Sequence, residues 1–297
     1  MTGRTTILLV ASVALIVAGF VAWMILKEKP RPNDFSAVEG SATLSRAPEE
    51  DRVYDAELRA SVVASKAEAT FAFEDLKFHA KRGDPVAQRK LAEAYDACLA
   101  VSRSRDDYLA DYKLRSMLAK NPQAAEAIVR LSNERAVQCE SVDGGAVIPL
   151  AAVRGWYTQA AQNGDLAAQA VVYVMSADKP DAVEFKRYVE EVFNSNDPAA
   201  VFKFGELLPG LRFSTGFAQY DEFLAGANSK YALQIAACRM GYSCDQASAL
   251  MTNLCLEMGA CTGETYEEFV RSSLIPSAAG EGLDRKITEV TQFIKAR

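Results

Sequence analysis

A short phrase that occurs twice in the chain constrains its fold more than any other feature. Each copy contains an alanine, a Gly-Asp pair and an Ala-Gln pair. A phrase that recurs in this way indicates helical repeats, each of which buries its apolar face only against a neighbour. Such repeats form extended binding surfaces more often than active sites. The copies are Ala80, Gly83, Asp84, Ala87 and Gln88, and then Ala161, Gly164, Asp165, Ala168 and Gln169.

The spacing of the copies shows that the array is irregular. A fainter third copy contains Tyr188, Asn196, Asp197, Ala200, Phe204 and Gly205. Asp84 and Asp165 are 81 residues apart, whereas Asp165 and Asp197 are 32 residues apart. A regular array would keep one period throughout. We therefore expect extra helices between the first two copies.

Helix boundaries can be placed from local chemistry. Apolar residues recur every three or four positions from residue 51 onward, and alternating runs are absent. Three pairs join an N-cap side chain to a proline at the first helical position: Asp84-Pro85, Asn121-Pro122 and Asp197-Pro198. Glycines 83, 164, 241 and 259 follow apolar runs, where helices end in a left-handed residue. These signals predict an all-α fold of about a dozen helices, each of roughly ten to sixteen residues.

The amino-terminal part follows a different pattern. After a short tail (1–5), residues 6–26 are apolar and uncharged, and Trp23 lies near one end. This length spans a bilayer core and predicts a transmembrane anchor. A cleaved signal peptide is the alternative, but its apolar region is shorter and ends in small residues. Residues 27–50 are rich in Pro, Ser, Ala and Glu and predict a flexible linker before an all-α domain at 51–297.

Two signals disagree about the orientation of this anchor. The positive-inside rule sets Arg4 and the amino terminus against Lys27, Lys29 and Arg31, which would place the large domain in the cytoplasm. Six cysteines favour an oxidising compartment instead. Because an even cysteine number is typical of disulfide-bonded exported domains, we expect the domain to be periplasmic, on an inner-membrane anchor.

The cysteine spacing suggests three pairs. Cys238 and Cys244 enclose five residues, as do Cys255 and Cys261, which leaves Cys98 for Cys139. From loop-closure entropy, we expect each short disulfide loop to stabilise the fold by about 2.4 kcal/mol and the long one by about 3.9 kcal/mol. Zinc ligation and free core thiols are the alternatives, but structural zinc usually requires closer cysteine spacing.

The second copy of the phrase extends into a wider match. Together these residues resemble the Sel-one-like repeat, a relative of the tetratricopeptide repeat. The resemblance implies that the aromatic and the paired alanines share one helix, and that the glycine turns the chain into the next helix. Small residues would then meet at the helix crossing, with Trp156 filling the wider space beside it. The matching residues are Trp156, Tyr157, Ala160, Ala161, Gly164, Asp165, Ala168 and Gln169.

Few residues suggest catalysis or cofactor binding. The net charge of -6, with no basic cluster outside the membrane flank, argues against a nucleic-acid partner. The single histidine, His79, excludes a two-histidine zinc protease motif, and its helical position favours a partly buried structural residue. No glycine-rich phosphate loop is present, so we expect neither a metal nor a cofactor.

These observations favour a non-enzymatic scaffold or adaptor that binds a protein partner along its helical surface. The alternative is a carboxylate-dependent cell-wall hydrolase, which needs an acid and a nucleophile facing each other across a cleft. Adjacent carboxylates on one helix point about 100° apart and do not converge by themselves. The candidate pairs are Glu74-Asp75, Glu190-Glu191 and Glu267-Glu268.

Overall fold

The computed structural model describes residues 66–176, 181–208, 224, 228–276 and 279–295. All of them belong to one compact unit, Tyr54–Arg297. The predicted anchor (6–26) and linker (27–50) lie outside the described residues, as does the predicted start of the domain at 51–65. No helix in the described ranges is long and apolar enough to cross a membrane.

The described residues form twelve helices and no strand, which confirms the all-α prediction. Two helices are longer than predicted, at 19 and 18 residues, and the helix Tyr266–Phe269 is shorter, at 4 residues. The helices are α1 (66–81), α2 (Pro85–Arg103), α3 (Arg105–Met117), α4 (Pro122–Cys139), α5 (Leu150–Gln162), α6 (Leu166–Met175), α7 (Ala182–Asn194), α8 (Pro198–Leu207), α9 (Ser229–Arg239), α10 (Ala249–Met258), α11 (Tyr266–Phe269) and α12 (Gly280–Lys295).

The three Asx-Pro pairs begin helices, as predicted. Asp84, Asn121 and Asp197 each accept a hydrogen bond from a backbone amide in the first turn, at 2.9, 2.8 and 2.8 Å. The proline that follows each cap occupies the start of the helix, where no amide donor is needed. These short signals depend only on neighbouring residues, which is why the sequence predicts them well.

The four predicted helix ends are also confirmed. Glycines 83, 164, 241 and 259 have φ values of +92°, +96°, +108° and +70°. Only glycine adopts this left-handed region without a steric penalty. In the third copy, Asn196 takes the place of the glycine with a φ of +52°, and asparagine is the side chain that tolerates this region best.

The helix contacts explain the uneven spacing of the copies. Helix α2 packs against α5, α5 against α6, and α6 against α8, which packs in turn against α9. Helices α3 and α4 form a hairpin between α2 and α5 in sequence, and α4 also contacts α2 and α10. The backbone amide of Ile148 donates to Ser102 Oγ at 3.1 Å, so the chain returns beside the point where it left α2. The extra helices expected between the first two copies are therefore this hairpin.

The apolar residues form two clusters. The amino-terminal cluster includes Leu91 and Tyr157, and the carboxy-terminal cluster includes Tyr188 and Phe204. Helix α10 contributes Leu256 to the first and other residues to the second. Helix α10 therefore contributes side chains to both clusters.

All six cysteines are paired, in the three pairs that the spacing predicts. The disulfide between Cys98 and Cys139 joins α2 to the end of α4, and the Cα atoms of the two cysteines are 5.4 Å apart. The two short loops close at the ends of α9 and α10, with Cα separations of 5.6 Å for Cys238–Cys244 and 4.5 Å for Cys255–Cys261. The long bridge therefore fastens the α3–α4 hairpin to α2.

Candidate functional site

The first copy of the phrase forms a closed turn between α1 and α2. The amide of Asp84 donates to His79 O at 3.3 Å, and the amide of Gly83 donates to Ala80 O at 3.1 Å. These two bonds end α1 in a Schellman motif. Gln88 Nε2 also donates to Ala80 O, at 3.0 Å. The alanine and the glutamine of the phrase are therefore joined directly.

The second copy repeats these contacts between α5 and α6. The amide of Asp165 donates to Ala160 O at 2.9 Å, and the amide of Gly164 donates to Ala161 O at 3.1 Å. Gln169 Nε2 reaches back to Ala161 O at 3.4 Å. The two copies are alike in hydrogen bonding as well as in sequence.

The copies are also bonded to each other. Asn163 Nδ2 donates to Gln88 Oε1 at 2.8 Å, which connects the second turn to the glutamine of the first copy. Arg89 Nε donates to both oxygens of Asp165, at 3.1 and 2.9 Å, and Arg89 Nη1 donates to Glu93 Oε1 at 2.9 Å. Burial alone would lower the pKa of Arg89, but Glu93 and Asp165 outweigh it and raise that pKa. Arg89 thus stays charged in a nearly closed environment.

Beside this connection lies a group of polar and tyrosine side chains, which we call the acidic tyrosine face. Its members come from three helices and from the turn after α9, and they are close enough for their charges to shift one another's pKa values. The acidic tyrosine face consists of Glu93 and Asp96 on α2, Tyr157 on α5, Lys203 and Glu206 on α8, and Tyr242.

One ion pair lies within the acidic tyrosine face. Lys203 Nζ donates to Glu206 Oε2 at 2.8 Å, and the lysine side chain is 21% exposed. Burial alone would lower the pKa of Lys203, yet the Glu206 carboxylate, Tyr242 and Glu93 raise it. Lys203 is therefore a permanent cation whose charge is already balanced by Glu206.

Two members have no partner among the described residues. Asp96 is exposed, and its carboxylate makes no hydrogen bond or ion pair there; the neighbouring protein surface partly desolvates it and raises its pKa, against the opposing effect of Lys203. Tyr157 as a whole is only 6% exposed, its hydroxyl bonds to none of the described residues, and the hydroxyl oxygen itself reaches solvent. Burial, followed by the charges of Glu93 and Asp96, raises the pKa of Tyr157, so it remains a neutral hydroxyl. A carboxylate and a hydroxyl are thus both available to a ligand.

Tyr242 forms an aromatic border to the same group. Its ring stacks on Phe202 with centroids 4.3 Å apart and an interplanar angle of 17°. Tyr242 is half-buried, so part of it stays accessible. Stacking on a buried ring holds the tyrosine in place beside the charges.

Most of the residues predicted to pack between repeats are buried. Ala160, Ala168 and Ala200 have no exposed surface, and Tyr188 donates its hydroxyl hydrogen to Leu166 O at 3.2 Å. Gly83 and Gly164 form the turns. Ala80 and Ala87 are buried as well.

Two positions of the second copy differ from the expectation. Trp156 is half-buried at the edge of the amino-terminal cluster, and the aromatic that fills the space is Tyr157. Ala161 is half-buried, because the helix presents Ala160 to its neighbour instead. On a helix, adjacent residues point about 100° apart, so only one of two neighbours can occupy the centre of a contact.

The carboxylate pairs named for a hydrolase make surface contacts. Glu267 accepts from Arg239 at 2.8 Å and from Arg271 at 2.9 Å, and Glu268 completes a capping box with Thr265. Carboxylates of the other two pairs each contact a basic side chain three or four residues away on the same helix: Glu74 with Lys77, Asp75 with His79 and Glu191 with Arg187. His79 is exposed, with 53% of its side chain accessible, so the prediction of a partly buried histidine is wrong.

Sequence patterns did not identify the acidic tyrosine face. Its residues are distant in sequence. They come from helices that are joined by packing, because α2 packs on α5, α5 packs on α6, and α6 packs on α8. One signal was available: Lys203 interrupts the apolar run of α8, between Phe202 and Phe204. A charge inside an apolar helix indicates a partner or a site.

No metal site was found within the described ranges, since no group of three or more His, Cys, Asp or Glu side chains there could hold an ion. None of the family models compared with the chain matches it. No curated protein and no solved structure matches it either.

Proposed function

We propose that this chain is a membrane-anchored, non-enzymatic adaptor of the cell envelope that binds a protein partner through the acidic tyrosine face. Its helical domain is a degenerate array related to the Sel-one-like repeat, with the α3–α4 hairpin inserted between the first two units. The observation that carries the proposal is that the packed helices α2 and α5 present two solvent-accessible polar groups, the exposed Asp96 carboxylate and the Tyr157 hydroxyl, and neither has a partner among the described residues.

The repeated turns support the array. The two full copies share their cap, their left-handed glycine and the glutamine bond to the preceding helix. Repeat arrays bind peptides and proteins across the surfaces of successive units. The acidic tyrosine face lies where the first two units meet and extends to the third.

The three disulfides support an exported domain. Disulfides persist in oxidising compartments and are rare in the cytosol. Together with the apolar segment at 6–26, they favour a single-pass inner-membrane protein whose domain faces the periplasm. Alkylation of freshly trapped native protein under denaturing conditions tests this: six reactive thiols would refute the export.

Photo-crosslinking in cells tests the adaptor. A photoreactive residue at Ala100, which is exposed one helical turn after Asp96, should capture one defined protein. The matched control is the exposed Ala110 on α3, outside the acidic tyrosine face, which should not capture that protein. Capture of the same protein from both positions, or from neither, would contradict the proposed binding surface.

The hydrolase remains the second candidate because of Asp96. A general acid needs a raised carboxyl pKa, and burial raises that of Asp96. A hydrolase would release soluble fragments from purified cell-wall polymer, and Asp96→Asn would abolish the release. The adaptor requires that neither the full chain nor the variant releases fragments.

A further inference from the structure

We propose that the tip of the α3–α4 hairpin is a second membrane contact, which inserts apolar side chains among the headgroups of an anionic bilayer. The hairpin tip consists of the last turn of α3 and the turn into α4, residues 113–121. This inference rests on the proposed membrane anchor, which would hold the domain beside the bilayer, and it does not involve the acidic tyrosine face.

Three large apolar side chains of the hairpin tip face solvent. Leu114, Met117 and Leu118 are 58%, 68% and 78% exposed. They are spaced three and four residues apart, so they form one stripe along the last turn of α3. Tyr112 and Ser116 are the buried residues of this part of α3, and they lie on the opposite side of the helix. The exposed stripe therefore points away from the protein core.

The charge of the hairpin tip is opposite to that of the whole chain. The chain carries a net charge of -6, yet residues 112–125 contain three basic side chains and no carboxylate. Lys113 and Lys120 are exposed and form no ion pair among the described residues. Arg115 Nε donates to Asp111 Oδ2 at 2.8 Å, which balances the third positive charge. Two uncompensated lysines thus border the apolar stripe.

This combination fits a bilayer better than a protein partner. Exposed aliphatic side chains bordered by lysines are typical of surfaces that lie in a membrane interface. The lysine stems follow the apolar surface while their ammonium groups approach anionic headgroups. A folded partner would have to cover the lysines together with the stripe, and lysine is depleted from the cores of protein interfaces. The charge of the hairpin tip therefore favours an anionic lipid surface.

The predicted linker is long enough to permit the contact. Lys66 at the start of α1 and Arg105 at the start of α3 both pair with Glu140, so α1 begins at the base of the hairpin. The hairpin tip is one length of α3 away, which is about 20 Å for its 13 residues. The 24 residues at 27–50 can extend to about 80 Å. Because an anchored domain stays close to the bilayer, even a weak second contact is populated.

Fluorescence of the full chain in lipid vesicles tests the inference. All six cysteines are disulfide-bonded, so an introduced cysteine is the single site for a nitrobenzoxadiazole label, placed here by Leu118→Cys. The vesicles consist of phosphatidylcholine alone or with about 30% phosphatidylglycerol as the anionic lipid. In the anionic vesicles the label should emit at shorter wavelength, and a lipid with a spin label at its headgroup should quench it several-fold more than in the neutral vesicles.

Val183→Cys carries the matched control label. Val183 is 78% exposed, as is Leu118, but it lies between Asp181 and Glu184 at the start of α7. Since these carboxylates repel an anionic surface, the label at this position should remain unquenched in both kinds of vesicle. Equal quenching of the two labels would overturn the inference, as would equal quenching at Leu118 in neutral and anionic vesicles.

A pair of charge variants tests the role of the lysines. Lys113→Gln combined with Lys120→Gln leaves the apolar stripe intact. Each basic side chain near an anionic surface favours binding by about fivefold, so this variant should shift the equilibrium of the tip about 25-fold toward the free state. Lys81→Gln combined with Lys90→Gln removes the same charge from exposed positions on α1 and α2 and should not change the quenching. Equal quenching in the two variants would contradict the inference.

The other outcomes are also distinguishable. A shift at Leu118 that grows with the number of chains per vesicle, without quenching by the spin-labelled lipid, would assign the stripe to a second copy of the chain and overturn the membrane contact. Alkaline carbonate would extract the chain from the vesicles if the predicted anchor were wrong. A chain that resists extraction but shows no quenching at Leu118 would refute the tip contact alone, and crosslinking from Ala100 tests the adaptor separately.

Discussion

The contact between Arg89 and Asp165 can be tested against a control that the chain itself provides. Asp84 and Asp165 occupy equivalent positions, and each caps the helix that follows it. Only Asp165 is buried, at 5% exposure, and only Asp165 accepts from Arg89. Because asparagine caps a helix about as well as aspartate, an Asp→Asn change at either site preserves the cap. The difference between the two variants therefore isolates the ion pair.

The expected magnitudes follow from burial. Asp165→Asn leaves Arg89 buried with Glu93 as its remaining carboxylate, and should lower the free energy of unfolding by about 2 to 3 kcal/mol. Asp84 is exposed and has no cationic partner among the described residues. Asp84→Asn should therefore change the free energy of unfolding by less than about 0.5 kcal/mol.

Urea unfolding of the full chain, followed by circular dichroism, measures both values. Combining Asp165→Asn with Arg89→Met should cost less than the sum of the single changes, with a coupling of about 1 to 3 kcal/mol. Equal destabilisation by Asp84→Asn and Asp165→Asn would show that the ion pair between Arg89 and Asp165 does not stabilise the fold.

Three further changes have defined outcomes. Replacing Cys98 and Cys139 together with alanine should lower the free energy of unfolding by about 3.9 kcal/mol in the chain-entropy estimate, measured by denaturant unfolding; a change under about 1 kcal/mol would contradict it. The raised pKa of Asp96 means that the folded state holds its proton more tightly, so its stability falls as pH rises from the ordinary carboxyl range through the raised pKa. Asp96→Asn should therefore raise the melting temperature at neutral pH and not at acid pH, and the opposite pattern in thermal scans would refute this sign. Ala168→Leu should destabilise by about 1 to 3 kcal/mol through overpacking, and half-buried Ala161→Leu by less; equal thermal stability of both variants and the native chain would count against the helix contact.

Local chemistry explains what the sequence could predict. The cap of Asp84 and the left-handed Gly83 depend on a few neighbouring residues, and both are present in the structure. The cysteine pairs could be proposed because two short loops leave a single remaining pair. The anchor and linker lie outside the described residues and stay predictions.

The candidate site depends on contacts that no local pattern encodes. Asp96 and Tyr157 are brought together by the packing of α2 on α5, across the inserted hairpin. The exchange of Trp156 for Tyr157 at the centre of the contact has a similar origin, since helix rotation is set by all neighbours together. A repeat phrase identifies which helices form a unit, but not which polar residues from separate units meet.

The return of the chain to Ser102 has a consequence for how this protein can change. Residues 103–147 leave and rejoin the helical array beside the same hydrogen bond, between Ser102 and Ile148. A segment whose ends are adjacent can be lengthened at its exposed tip, between α3 and α4, without redirecting the helices on either side, while the hairpin residues that line the amino-terminal cluster stay in place. The hairpin is therefore a natural site for insertion during evolution, and a designer could graft a second recognition element there while keeping the contact between α2 and α5.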